Sequence, residues 1–570
     1  MDDSTDSATT SDALRASAAE LRVAELEATL RARDESVAAL TQQLDRYRAS
    51  YDRLRQELEL LKRRIFVATA ERVDTKQLEL EFAAKLAELN KAGGTPSGDE
   101  PSTPDAPRGK PKPKGRRNLK DAKLIDVSVD IDDPLFEALV AEGKAERIGF
   151  EETFKLAYQR GGTRRLVVRR VKYCTLDSQG VSAVALAELP PETFPRLLAA
   201  PSMLAHIAHE KHGRGLPLYR IETQFKLDGV PVDRGTMSRW LEDLGGTVGA
   251  TVLAAARDYA FDNAFCIATD ATGIAIQPIR THEKTRKPCR KGHYFVHVVD
   301  RDHVFFEYQA RETSAVVGTM FRGFGGYIQA DAKSVYDVLF RCPGGGEDDD
   351  GTPTEVGCWS HARRKYWEAA MGKDVVAREA LARIGRIFEL DASWKDKPPA
   401  DIERLRNAHL RVHLVSFFAW AEPHHERVRD QRGALRSALG YSVRQKDALM
   451  RFLDDGRLVM TNNRAENHLR KVATGRDAWL FAGSDDHAES AGNLLSLIAS
   501  ARIHDIDAEA YLRDLIRVLA HWPRDRYLEL APMFWKATRA RLDDVQMKHD
   551  VGRLTVPAPL DVAKQEAAPG

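Results

Sequence analysis

Apolar residues at alternating spacings of three and four run along the first part of the chain: Val23, Leu26, Leu30, Val37, Leu40, Leu44, Tyr47, Tyr51, Leu54, Leu58, Leu61 and Ile65, with Arg33 interrupting the series. A heptad seam sustained this far without Pro or Gly predicts a coiled coil over residues 13–90. Tyr at two core positions and Arg at a third leave two arrangements open, pairing with a second chain or an antiparallel hairpin with residues 74–90. Residues 1–12, rich in Ser, Thr and Asp, are expected to be disordered. Residues 91–119 switch to Gly, Pro and Ser and then to Lys and Arg, the composition of a flexible linker.

Further along, the period changes. Leu124–Ile131 and Arg165–Cys174 predict strands of a small α/β module over 120–195. Residues 196–255 predict a helical domain: Leu218, Ile221, Phe225 and Leu227 line one helix, Gly229-Val230-Pro231-Val232 turn the chain, and Asp233 or Thr236 opens a second helix bearing Met237, Trp240 and Leu241. This helix-turn-helix grammar offers Arg234, Ser238 and Arg239 to phosphates or base edges, although ordinary helical domains use similar pairs. Tyr294–Val299 and Val304–Tyr308 predict a hairpin turning at Asp300-Arg301-Asp302. Helical patterns over 377–390 and 402–420, joined by a loop at 391–401, predict an insertion (371–455) between two parts of an α/β core (256–370 and 456–525), with 526–570 as a C-terminal tail. The fold class is thus multidomain α+β.

Charge adds little in bulk, since 86 basic and 85 acidic residues leave the chain at +1. Any contact with nucleic acid has to come from local clusters. One such cluster closes the linker: Lys110, Lys112, Lys114, Arg116 and Arg117 suit contact with DNA phosphates, or merely solubilise the chain. The five cysteines are scattered, as expected in a reducing cytosol. No apolar run approaches the roughly 20 residues needed to span a bilayer and the N-terminus lacks signal-peptide character, so a soluble, cytoplasmic protein is expected.

Three carboxylates stand out by position. Asp270 follows the apolar run Phe265-Cys266-Ile267-Ala268, with Thr272–Ile276 continuing the strand. Asp331 closes the short strand Gly326–Asp331, and a helix start is expected at Ala332-Lys333-Ser334. Glu466 lies where a capping pair, Asn462 and Asn463, precedes Leu469, Val472 and Ala473 at helical spacing. Two strand-borne Asp and one helix-borne Glu can hold a pair of Mg²⁺ ions, which suits phosphodiester chemistry. Any one of them alone would be an ordinary solvated or capping residue. Cys358 and His361 share helical spacing, but no second pair accompanies them. His361, Arg363, Arg364 and Lys365 instead offer positive charge beside the carboxylates. The acidic loop Gly346–Asp350 reads as surface.

The words around these residues carry a resemblance. Phe452–Leu458, Asn462-Asn463-Arg464-Ala465-Glu466, Gly475-Arg476 and Trp479–Ser484, within a stretch from Ser437 to Arg513, closely resemble transposases of the insertion sequence 66 family. Leu216–Arg220, Asp270-Ala271-Thr272, Gln329-Ala330-Asp331 and Cys358–Lys365 agree in the same order, so the resemblance covers about residues 20 to 520. It implies a DDE-type transposase on a ribonuclease H-like core, with Asp270, Asp331 and Glu466 as catalytic residues holding two Mg²⁺ (or Mn²⁺). The implied partners are double-stranded DNA (terminal inverted repeats and target), further copies of the chain, and separately encoded accessory proteins. Such an enzyme would work at the nucleoid. Relatives carry a zinc module with two cysteine pairs near residues 120–195, whereas this chain has only Cys174 there, so no structural zinc is expected. The competing class is a transposase-derived protein that binds DNA without cutting it.

Overall fold

A computed structural model describes residues 124–176, 182–230, 232–278, 288–340, 351–372 and 374–562. The expected coiled coil (13–90), the basic cluster Lys110–Arg117 and the acidic loop 346–350 lie outside the described residues. All elements below belong to one compact unit, Pro113–Ile279 with Cys289–Gly570.

The small module is a four-stranded sheet. Strand β1 (Ile125–Ile131) lies parallel to β3, helix α1 spans Pro134–Ala141, and β2 (Ala145–Gln159) and β3 (Gly162–Leu176) form a long antiparallel hairpin on which β4 (Ser182–Leu186) pairs. Alternating residues Leu166, Val168, Val171 and Tyr173 are buried with Val129 and Ile131. Tyr173 Oη accepts from the Asp133 backbone N–H (2.9 Å) and donates to Glu137 (2.6 Å), tying α1 to the sheet. Apolar packing with one buried phenol therefore shapes this module, and Cys174, partly exposed, lies outside that cluster.

The helical domain starts with α2 (Pro201–Ala208), continues through a π turn at His209–Gly213, and contains α3 (Leu218–Leu227) and α4 (Arg234–Leu244), followed by α5 (Ala250–Asn263). Ile221, Phe225, Met237, Trp240 and Leu241 are buried as the periodicity requires, Gly229 turns at φ +75°, and Asp233 caps α4 by accepting from Thr236 N at 2.8 Å. Leu227, expected on the apolar face, is 79% exposed because it is the last residue of α3, where the chain turns away.

A second, six-stranded sheet carries β5 (Cys266–Ile276), β6 (Arg290–Val299), β7 (His303–Gln309), then after α6 (Ser314–Met320) the strands β8 (Tyr327–Gln329) and β9 (Thr354–Val356), in the order β7-β6-β5-β8-β9. The first three are antiparallel neighbours, and β8 and β9 join in parallel. The β6–β7 connection turns at Asp300, whose carboxylate accepts the backbone N–H groups of Phe265 and Cys266 (3.1 and 2.9 Å). No helix starts at Ala332-Lys333-Ser334, contrary to expectation. The Lys333 N–H turns back to Asp331 O at 2.6 Å, and only a 3₁₀ turn, Asp337–Leu339, follows.

Helices α7 (Trp359–Met371), α8 (Val375–Ala392), α10 (Arg411–Val428), α11 (Ala434–Arg444) and α12 (Lys446–Met450) share one apolar cluster around Trp359, Tyr366, Ile384, Phe417, Phe418 and Leu439, while the short α9 (Pro399–Leu405) connects α8 to α10 outside it. The insertion thus gathers α7 as well as the helices after residue 371. Its polar pin is Arg406, 3% exposed, which donates to Asp391 (2.7 Å) and to the carbonyls of Phe452 and Leu458 (both 2.9 Å).

The chain returns to the sheet through α13 (Asn463–Trp479) and β10 (Phe481–Ala482), which pairs parallel with β5, then α14 (Asp485–Ile503) and α15 (Ala508–Val518). Helix α14 lies along β7, with Ser500 Oγ and Ser496 Oγ accepting the backbone N–H groups of Val304 (2.9 Å) and Phe306 (2.7 Å). Its other side meets the end of α4, where Gly245 approaches so closely that a Cβ there would lie 2.2 Å from Ser490 O. The segment expected as a C-terminal tail is packed. A 3₁₀ stretch (Arg524–Leu530) and α16 (Pro532–Arg539) bury Leu530, Phe534 and Trp535 in the cluster that contains α5 and α15, and Tyr511 Oη donates to Leu530 O at 2.8 Å. Prolines 523 and 532 break this run into short pieces, which hides its apolar spacing in the sequence. Phe534→Ala is predicted to destabilise the fold by about 3–5 kcal/mol in urea denaturation, whereas an unpacked tail would leave stability unchanged.

Candidate active site

Each of the three carboxylates is delivered by a different kind of element. Asp270 stands mid-way along β5, Asp331 two residues beyond the end of β8, and Glu466 in the first turn of α13. Beyond the carboxyl end of parallel β8, side chains are free to project into the crevice that open α/β sheets use for ligands. Cys358 precedes α7, and His361 lies in that helix's first turn.

His361 is the common neighbour. Its Nε2 lies 3.7 Å from Asp331 Oδ2 and 3.7 Å from Glu466 Oε1, while Lys333 Nζ stands 3.9 Å from Asp270 Oδ1 and 3.4 Å from Glu312. Burial opposes charge on His361, but Cys358, Asp331 and Glu466 outweigh it, and the imidazole is pushed up to about 9. Burial raises the Asp270 carboxyl above its usual range, against the Ala271 N–H (2.7 Å), Lys333 and His361, with the charge of Asp331 adding to the rise. Three negative groups thus crowd one corner and draw two cationic side chains. A carboxylate cluster of this kind favours cations generally.

The donor set fits hard divalent ions. The Asp270, Asp331 and Glu466 side chains are 17%, 22% and 33% exposed, leaving oxygen atoms facing solvent where a hydrated Mg²⁺ or Mn²⁺ keeps its waters. Ligand atoms of Cys358, His361 and Glu466 also lie within 4.8 Å of one another, so Glu466 supplies the third group that the Cys358–His361 pair lacks in sequence. Its mixed sulfur, nitrogen and oxygen set suits a softer ion than Mg²⁺.

The residues that hold these pieces together escape a sequence reading. Asn462 occupies the position before α13 but makes no side-chain cap there. It is fully buried, and its Nδ2 donates to Thr269 O at 2.8 Å, next to Asp270, while its backbone N–H reaches Cys358 Sγ at 3.2 Å. Gln329, 1% exposed, donates to Val459 O (2.7 Å) and Gly357 O (3.3 Å). Arg476, further along α13, donates to Gly273 O (2.5 Å) and Thr272 Oγ1 (3.2 Å). The one available signal was an amide side chain, Gln329, closing an apolar strand.

Of the basic residues expected beside the carboxylates, His361 alone pairs with them. Arg363 lies over the Phe388 ring (5.7 Å) and Lys365 over the Tyr441 ring (5.2 Å), both rings of the insertion, and Arg364 pairs with Glu368 at 3.4 Å. One helix cannot present consecutive residues to a single neighbour. Arg234 and Arg239 are exposed on α4, with Ser238 partly buried between them.

The sequence matches the family model described as "Transposase IS66 family" over residues 196–490 and the "IS66 C-terminal element" over residues 496–533. The chain belongs to the IS66 family of DDE transposases. The first match spans the helical domain, β5 with Asp270, the segment after β8 with Asp331, the insertion and α13. Similar proteins include two from Sinorhizobium fredii (strain NBRC 101917 / NGR234). Uncharacterized protein y4qI is 26% identical over 533 residues, covering 92% of this chain and 93% of the relative. Uncharacterized protein y4hP is 27% identical over 399 residues, covering 65% and 68%. No solved structure matches the chain. No described helix is long and apolar enough to cross a membrane.

Loss of the Asn462 amide leaves Thr269 O buried without that donor. Asn462→Ala is therefore predicted to lower stability by about 1–3 kcal/mol in chemical denaturation. A stability equal to wild type would mean that the tie between α13 and β5 is dispensable.

Proposed function

We propose that this IS66-family chain is an active transposase that binds the terminal inverted repeats of its element, cuts a phosphodiester at each end and joins the freed ends to target DNA. The observation that carries this reading is the meeting of Asp331 and Glu466 at His361 with Asp270 beside them at Lys333, although Glu466 lies on a helix that returns only after the whole insertion. The sheet that holds them is read as the ribonuclease H-like core implied by the resemblance, with α7–α12 as its helical insertion.

Asp270, Asp331 and Glu466 would hold two Mg²⁺ or Mn²⁺ ions, which supply activation of the attacking oxygen and stabilisation of the leaving one. The chain's own cations, Lys333 and His361, face these carboxylates and would turn to the scissile phosphate as its negative charge enters. In cleavage, a water oxygen bonds to phosphorus as the bond to the 3′ oxygen breaks, leaving a 3′-hydroxyl. In strand transfer, that hydroxyl attacks a target phosphodiester and displaces another 3′ oxygen. Neither step needs a covalent enzyme intermediate.

Helix α4, with Arg234, Ser238 and Arg239, would read or grip the element's end, and the basic cluster Lys110–Arg117 would add contacts to backbone phosphates. Two ends joined to one target call for more than one copy of the chain, which the seam over residues 13–90 could assemble. Separately encoded accessory proteins belong to the same reading, as does action at the nucleoid of the cytoplasm.

Asp270→Asn, Asp331→Asn and Glu466→Gln keep shape but each removes a charged oxygen. Each is predicted to reduce cleavage of a labelled end fragment in Mg²⁺ by at least roughly a hundredfold while sparing end binding. Near-wild-type cleavage by any one of them removes that residue from the ligand set, and no cleavage by the wild type favours the DNA-binding, non-cutting alternative. Replacing Arg234 and Arg239 with Ala should weaken end binding and flatten its salt dependence in a titration, with thermal unfolding unchanged.

A further inference from the structure

On the flank of α13 away from Glu466, positive side chains collect without acidic partners. Lys471, Gly475 and Trp479 recur at intervals of four and so share one face of the helix. The π turn His209–Gly213 and the loop after it lie against this face. A Cβ on Gly215 (φ +79°) would stand 3.9 Å from Gly475 Cα, and Lys211 Nζ sits 5.6 Å from the centre of the Trp479 ring. Arg502, in the last turn of α14, donates to Gly213 O at 2.8 Å and acts on Lys471 through its charge. Among the described residues no carboxylate pairs with Lys211, Lys471 or Arg502. Desolvation, and then the Arg502 charge, holds the Lys471 ammonium below the usual lysine range, and burial alone brings Lys211 down to about 8. His468, one turn before Lys471, has a buried Nδ1 without a hydrogen bond.

Lys471 and Arg502 feel each other's charge and Lys211 has lost hydration to burial, and none of the three is paired with a carboxylate among the described residues, so each is held at a cost that an incoming anion would relieve. Lys471 is exposed, whereas Lys211 is partly covered where it lies over the Trp479 ring. Lys471 and Trp479 are about 12 Å apart along the helix axis, a span suited to successive phosphates of one strand rather than to a single small anion. The same helix presents Glu466 on its opposite flank, so a duplex lying across α13 would meet the carboxylates and these cations together.

We propose that Lys211, Lys471 and Arg502 form a phosphate-binding track for the DNA backbone, holding the duplex between the helical domain and the carboxylate site. This rests on the reading of the chain as a DNA-binding transposase. The contact is with phosphates, so it should serve any sequence.

The test is fluorescence-anisotropy titration of the full chain against an end duplex and an unrelated duplex over a range of salt. Lys471→Gln is expected to weaken both duplexes alike and to lower the slope of log K against log salt by about 0.9, the value of one phosphate contact. Lys211→Gln should add a similar decrement. Because Lys211 is enclosed and its variant could unfold, acetylation of the wild type supplies a second readout at the exposed Lys471, which should be protected when duplex is bound. An unchanged slope for Lys471→Gln together with undiminished acetylation of Lys471 overturns the track while leaving the transposase reading intact. Absence of any duplex binding by the wild type overturns both.

Discussion

The geometry of the carboxylates depends on a hydrogen bond between residues 193 positions apart, from the Asn462 amide to the carbonyl of Thr269. A helix that packs on a sheet through apolar side chains has no intrinsic reason to stop at a particular height along it. Apolar contacts of α13 through Leu469 and Val472 set its distance from β5 but allow it to slide. A directional bond to the carbonyl next to Asp270 removes that freedom, and Arg476 fixes the other end of the same helix to Gly273 and Thr272. Buried amide and guanidinium groups are costly to leave unsatisfied, so this register is favoured both by the bonds made and by the penalty for losing them.

The long insertion becomes intelligible from the same constraint. It adds its own apolar cluster, pinned by Arg406, and hands the chain back to the site through Met460, whose carbonyl accepts from Trp359 N at 2.9 Å. Gln329 and Asn462 then bind the returning segment to β8, β5 and the start of α7. A large helical body can therefore be accommodated within the core because its entry and exit lie side by side, bridged by a few buried polar groups.

What was legible in the sequence was local. The strand around Asp270, the hairpin at Asp300 and the helix pair from Leu218 to Leu241 follow from period and turn chemistry, because those signals need only a few neighbouring residues. The three carboxylates were legible through the words surrounding them. The role of Asn462 was not, since an Asn before a helix reads as a cap and its true partner is set by tertiary folding. Nor was the packed C-terminus, where short helices and 3₁₀ turns separated by proline carry no sustained period. The turn at Lys333 replaced an expected helix because its N–H closes back on Asp331, and this keeps Lys333 beside Asp270.

The serines of α14 have a consequence for how copies of this protein can meet. Strand β7 ends the sheet, and an exposed sheet edge invites another strand to dock through its free N–H and C=O groups. Here Ser496 and Ser500 occupy the N–H groups of Phe306 and Val304, and Ser500 returns a hydrogen bond to Val304 O at 3.1 Å. Two hydroxyls thus serve as the missing neighbour strand. Head-to-head fusion of two sheets along β7 is thereby closed off, so copies of this chain that meet have to meet through other surfaces than this sheet edge.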